Sequence, residues 1–281
     1  MSKQQRAPIG PSLLSQCEDN WQTSMGASFP REQRTVLRGK DVLTELTDHR
    51  WMELMVFAVT GRTDKDMKKL ARLIEGMWVI ASSYPDPRLW NNRVAALGGS
   101  VRTTGALAIN AASAVSEATA YGLRTSKGAV DLFYRFKKQL DSGADLESLI
   151  KRELKLYRVL WGYGRPLVSK DERVAPLIKF AKSLGCSDGP HLELAFEIAN
   201  YLEHSKYKLQ INISAIVAAI MADEGLSVNE FYYLSSLSFV GGMFPCYIDA
   251  TNHAEGTLFP LSTKRVQYTG PHTHRAWNKG N

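Results

Sequence analysis

Between residues 64 and 81, Met67, Leu70, Leu73, Ile74 and Met77 recur at intervals of three and four residues. Only an α-helix gathers that spacing into one apolar stripe, and such a stripe has to be buried against other elements. The same period governs most of the chain. Val42, Leu43 and Leu46 open a helical stretch at Asp41 that continues through Trp51, Leu54, Met55, Phe57 and Ala58 to a stop at Gly61. Thr63 is the N-cap of the next helix. Further helices are expected over residues 103–120, 127–140, 145–159, 170–184, 191–204 and 213–224. One more runs from a Ser227 cap to about Met243, interrupted at Gly241-Gly242. Residues 21–39 alternate polar and apolar and suit a short hairpin. Residues 1–20 read as a loose arm and residues 261–270 as an extended tail. About ten helices, almost no strand and no repeat period define an all-α fold.

Composition narrows the function classes. The chain has 281 residues, 44% of them hydrophobic and 22% charged, enough to bury a large core. Net charge is +7, but lysine and arginine are interleaved with aspartate and glutamate. No dense basic run is present, so nucleic acid is not an expected partner, while a small anionic ligand suits the excess. Cys17, Cys186 and Cys246 are odd in number and far apart, which argues against disulfides and a zinc site and fits a reducing cytosol. Apolar runs such as 213–221 are too short to span a membrane, which takes about 20 residues. Phosphate-loop, GxGxxG, HExxH and CxxC signatures are absent. The alanines at Ala106, Ala108, Ala111, Ala112, Ala114 and Ala118 suit a closely packed interior or subunit-interface helix.

One stretch carries most of the site information: Trp161-Gly-Tyr-Gly-Arg-Pro-Leu-Val-Ser-Lys-Asp-Glu-Arg173. Gly162 and Gly164 flank an aromatic residue, Arg165 follows, and Asp171-Glu-Arg173 opens the next helix. Val101-Arg-Thr103 precedes this stretch, Asn212-Ile-Ser214 follows it ahead of an apolar helix, and Tyr268-Thr-Gly270 closes the series. With Trp21-Gln-Thr and Leu37-Arg-Gly-Lys-Asp-Val-Leu at the start, these segments together resemble the citrate synthase superfamily, particularly its short citryl-CoA lyase-like members. The resemblance runs in order over about residues 21–271. It implies a large helical domain (21–127 and 226–281), a smaller helical domain (128–225), a cleft between them, and a homodimer. It also implies a CoA thioester as substrate, with no tightly bound cofactor and no metal.

The family condenses an acyl-CoA with a 2-oxo acid, or runs the reverse cleavage. That chemistry calls for a carboxylate base, histidines that donate to developing oxyanions, and arginines that hold carboxylates in bidentate pairs. Matched position by position, the family's base falls at Ser214 and its enol-stabilising histidine at Lys127, with Ser126 one residue away. The histidine after Gly-Tyr-Gly falls at Arg165, and an upstream histidine falls near Asn92. Arg173 is retained, while two further arginine positions fall near Phe239 and Thr263, with Arg265 close by. A lost acid or base costs about 10²–10⁴-fold in rate, so the family's own route is not expected here.

The expected site is therefore Asn92, Lys127, Arg165, Arg173 and Ser214, with Gly162, Tyr163, Gly164 and Arg265 as substrate- or CoA-binding positions. Three cations without a paired carboxylate would favour a polycarboxylate, a CoA phosphate or a phosphonate. The alternatives are that Lys127 and Arg165 are solvated or pair with local acids, that Gly162-Tyr163-Gly164 is a plain connection, and that Asn92 merely starts a helix. Function divides into two hypotheses: a divergent enzyme of altered chemistry, or a non-catalytic paralogue that binds such a ligand or partners a competent homologue as a regulatory or structural subunit. His253 suits a helix end, His272 and His274 a tail, and Cys246 lacks a neighbouring base pattern.

Overall fold

The computed structural model describes residues 10–18, 21–118, 122–165, 170–258 and 262–270. Twelve α-helices and one small antiparallel sheet lie among them. A short helix, α1 (Pro11–Cys17), forms within the stretch expected to be a loose arm. The expected hairpin is a three-stranded meander, β1 (Gly26–Phe29), β2 (Arg34–Leu37) and β3 (Lys40–Asp41), with Gly26 opposite Leu37 and Val36 opposite Asp41.

The helical reading from Asp41 is corrected by the side chains that follow. Asp41 Oδ1 accepts the Leu43 N–H at 2.9 Å and Glu45 Oε2 accepts the Asp41 N–H at 2.8 Å. These bonds hold a turn, as short acidic side chains do when they compete with helical bonding. The helix α2 (Trp51–Thr60) starts only after Arg50 and ends at Gly61 in the left-handed conformation. Helix α3 (Asp64–Ser82) follows from Thr63. The pair α4 (Trp90–Ser100) and α5 (Gly105–Val115) is joined by a turn in which Arg102 takes φ 60°, so Val101–Thr103 lies between helices rather than inside one. Helix α6 (Leu123–Leu140) begins four residues earlier than expected, which places Lys127 in its second turn.

Helices α7 (Leu146–Tyr157), α8 (Val174–Ser183), α9 (Pro190–His204) and α10 (Ile213–Asp223) follow. A capping box between Ser227 and Glu230 starts α11 (Val228–Ser235). The next helix, α12 (Val240–Thr251), contains Gly241-Gly242, so the interruption falls at residues 236–239 instead. The pair is needed for close approach: a Cβ on Gly242 would lie 2.5 Å from the Tyr84 carbonyl oxygen. The tail forms a short 3₁₀ turn at Thr263–Arg265.

Helix α10 is apolar all round and runs through the largest core, packed on α6, α8 and α9. That core joins Leu70 and Leu73 of α3 to Phe133, Phe136, Ile198, Ile216 and Ile220. A second set of small side chains, Ala95, Ala96, Ala112, Cys246 and Ala250, packs α4, α5 and α12 together. Several arginines serve the ends of helices. Arg38 donates to the Ala58 and Val59 carbonyls, Arg62 to Glu224 and Gly225, and Arg102 to Ala250 and His253. Those carbonyls lack helical partners and carry the negative end of the helix dipole. Part of the positive excess is thus structural. Among the described residues, no helix is long and apolar enough to cross a membrane.

Candidate functional site

The Gly162–Gly164 loop is stitched to the residues before α10. Gly164 N–H donates to the Gln210 carbonyl at 2.6 Å, Asn212 N–H to Gly162 at 2.9 Å, and Asn212 Nδ2 to Gly164 at 2.9 Å. Asn212 Oδ1 also caps α10 by accepting the Ser214 N–H at 2.9 Å. Gly162 has φ 91°, and a Cβ there would sit 2.7 Å from that of Ala215, so both backbone and space require glycine. Tyr163 turns inward, and its hydroxyl donates to the Ala195 carbonyl at 2.8 Å. Burial pushes its phenol well above the ordinary range. The ring pins the loop to α9. The indole of Trp161 lies against Gly128 of α6.

The polar centre is Asp171, whose side chain is fully buried. Its Oδ1 accepts Arg173 Nε at 2.8 Å, and its Oδ2 accepts Arg173 Nη2 at 2.8 Å and the Ile213 N–H at 2.9 Å. Arg165 Nη1 lies 3.7 Å from Asp171 Oδ1, donates to Glu172 Oε2 at 2.7 Å and reaches the Lys170 carbonyl at 3.1 Å. Arg173 Nη1 reaches back to the Ala81 carbonyl at the end of α3, and its guanidinium lies over the Tyr84 ring at 5.5 Å. Burial alone would raise the Asp171 carboxyl. The Arg173 and Ile213 hydrogen bonds outweigh it and hold the group below its usual range. These pairings correct the expectation of unpaired cations: Arg165 and Arg173 both carry carboxylate partners.

Two of the other expected residues, Asn92 and Ser214, connect to this centre through their neighbours. Asn92 is buried in the first turn of α4, and its Nδ2 donates to the Tyr84 carbonyl at 2.5 Å and to Asp86 at 3.1 Å. Ser214, in the first turn of α10, accepts from Ser126 Oγ at 3.3 Å. Neither hydroxyl bonds a carboxylate or imidazole among the described residues. Lys127 Nζ sits 4.8 Å from the Tyr232 ring centroid, and Tyr232 donates to Glu117 Oε2 at 3.1 Å. Contacts therefore run without a gap from Asn92 through Tyr84 and Arg173 to Asp171, where Arg165 and the start of α10 with Ser214 and Ser126 meet. Arg265 is exposed in the tail turn and makes no side-chain hydrogen bond or ion pair with this set among the described residues.

Two members carried no role in the sequence reading. Asp171 stood in plain view beside Arg173, but nothing in the order of residues says that the two pair. Tyr84 was hidden in a proline-rich break, where its only signal is an aromatic residue before Pro85. Elsewhere the structure offers less chemistry. Burial, with Glu224 nearby, pushes the Cys186 thiol up to about 11, and burial also raises Cys246, so neither suits a nucleophile. His253 bonds the Asp249 carbonyl at the end of α12, as a helix-end histidine does. His272 and His274 lie outside the described residues. A groove of about 850 Å³ between α7 and α9, lined by Lys151, Tyr201, His204 and Tyr207, shares no residue with the Asp171 cluster.

Solved structures share this fold at low sequence identity. Citryl-CoA lyase from Hydrogenobacter thermophilus matches with a TM-score of 0.73 and 18% identity, over 92% of this chain and 97% of that one. ATP citrate lyase from Methanosaeta concilii, solved with (3S)-citryl-CoA, matches at 0.71 and 16%, over 95% of this chain and 45% of that one. Citrate synthase from Thermotoga maritima matches at 0.63 and 15%, over 82% and 60%. This chain thus spans nearly all of the lyase but under half of the ATP citrate lyase chain. No family model and no curated protein matches the sequence. These structures share this chain's fold, the one that the resemblance of the ordered segments implied.

Proposed function

We propose that this chain takes an acyl-CoA, a 2-oxo acid or a polycarboxylic acid at the Asp171 cluster and makes or breaks a C–C bond in it. It would act as an acyltransferase or lyase without the superfamily's Asp/His machinery. The observation that supports this is the convergence of Arg165, Arg173 and the first turn of α10, which bears Ser214, on Asp171, with Asn92 linked through Tyr84. Asp171 and Ala81 take three of the five N–H donors on Arg173. Two donors are left for a ligand carboxylate, and a second positive charge stands beside it on Arg165. Lys127 supplies an ammonium to polarise a carbonyl. Ser214 holds and orients; an unactivated hydroxyl cannot take a proton from carbon.

A second reading is favoured by the pairing itself. Asp171 and Glu172 neutralise both arginines, and the Ser126–Ser214 pair has no base among the described residues, which suits a ligand-binding or structural paralogue of a competent enzyme. In either case we place the chain in the cytosol, with its cleft between the 21–127/226–281 and 128–225 domains. We also propose a homodimer, supported by exposed Val101, Leu107 and Ile248 (56%, 64% and 54%) on the mutually packed turn and helices of the α4, α5 and α12 group.

Calorimetric titration with acetyl-CoA and with citrate, followed by thiol release with oxaloacetate, tests both readings. Turnover above buffer that is lost in Arg173→Lys, a change that keeps a cation beside Asp171, supports the enzyme. Binding without turnover supports the paralogue. Absence of binding to acetyl-CoA, citrate and oxaloacetate refutes the ligand assignment.

A further inference from the structure

Tyr84 lies in the connection between α3 and α4, and its surroundings hold it from three sides. Its carbonyl oxygen accepts Asn92 Nδ2 at 2.5 Å and abuts Gly242 of α12, where no Cβ could fit. Its ring lies beneath the Arg173 guanidinium at 5.5 Å. The charges of Asp171, Glu172 and Arg165 also act on its hydroxyl. Backbone and ring are thus fixed, yet the hydroxyl has no hydrogen-bond partner among the described residues, and the side chain is half-buried. A phenol immobilised beside two arginines with its O–H unused is the arrangement of a group that waits for an acceptor. An anionic oxygen held by Arg173 is the natural one.

We propose that Tyr84 is a ligand-contacting residue of this site, donating its O–H to the carboxylate or carbonyl oxygen of the acid that Arg173 holds. The inference rests on the ligand class proposed above. Buried Asn92 then acts as a positioning residue, fixing the phenol through its bond to the Tyr84 carbonyl. Burial raises the Tyr84 phenol above its ordinary value, ahead of the opposing pull of Arg173, so the group stays protonated at neutral pH and able to donate.

The test titrates citrate and oxaloacetate into the unmodified chain and into Tyr84→Phe, which keeps the ring under Arg173 and removes only the hydroxyl. Affinity for at least one acid is expected to fall roughly tenfold or more, as for a lost hydrogen bond to a charged group, with the melting temperature unchanged. A 3-fluorotyrosine resonance assigned to position 84 is expected to shift as that acid saturates the site. Equal affinity in Tyr84→Phe, or no shift at saturation, overturns the role of Tyr84 while leaving the ligand class standing. If the unmodified chain binds neither acid, the Tyr84 inference falls, and the ligand reading falls with it when acetyl-CoA does not bind either.

Discussion

Asp171 shows how one side chain can organise a site. A buried carboxylate is stable only when its charge is met, and here Arg173 grips both oxygens while the Ile213 N–H adds a third bond. Asp171→Asn leaves the Arg173 charge without its partner, and unfolding in urea at pH 7 should show a loss of about 3 kcal/mol. The pH dependence follows from the lowered carboxyl. Its folded value lies below the unfolded one of about 3.9, so its contribution is fully present above that value. It is lost as pH falls through the unfolded value toward the folded one. The stability gap between native chain and variant should therefore narrow below about pH 4. The residues of this cluster were largely legible from their order along the chain. Their pairing was not, because whether Arg173 faces a ligand or its own neighbour depends on the turn between them.

At the scale of elements, the informative cases are those where a local signal met a tertiary demand. Gly241-Gly242 reads as a helix break, since glycine weakens a helix by about 1 kcal/mol relative to alanine. The structure keeps both inside α12 because that helix presses against the Tyr84 backbone. The Ser227–Glu230 capping box, in contrast, needs only its own residues and starts a helix where the sequence places one. The Gly162 loop combines both influences. Gly162→Ala meets a positive φ and also drives a methyl into Ala215, so it should cost about 2–4 kcal/mol in urea denaturation. It should also weaken any ligand binding at Arg173 measured by calorimetry, because the loop carries Arg165 and leads to Asp171. No account based on propensity alone would separate Gly162 from glycines facing open solvent.

At the scale of the molecule, the mutually packed group of α4, α5 and α12 leaves apolar side chains in water. Size-exclusion chromatography with light scattering should return twice 31.3 kDa for the chain, and a monomer for the double variant Leu107→Glu, Ile248→Glu. A monomeric native chain would show instead that this apolar face does not bind a second copy. The sequence by itself determined the all-α class and most helix positions, because 3.6-residue periodicity, caps and turn glycines act over a few neighbours. It also nominated segments that the fold brings together around Asp171. Tertiary structure alone decided what the nominated groups do. It turned Tyr163 into the core, joined Arg165 and Arg173 to Asp171 and Glu172, used Asn92 as a pin, and brought Tyr84 to the centre. Charge pairing and hydrogen-bond partners depend on distances across the fold, and those distances are set by packing between helices far apart in the chain.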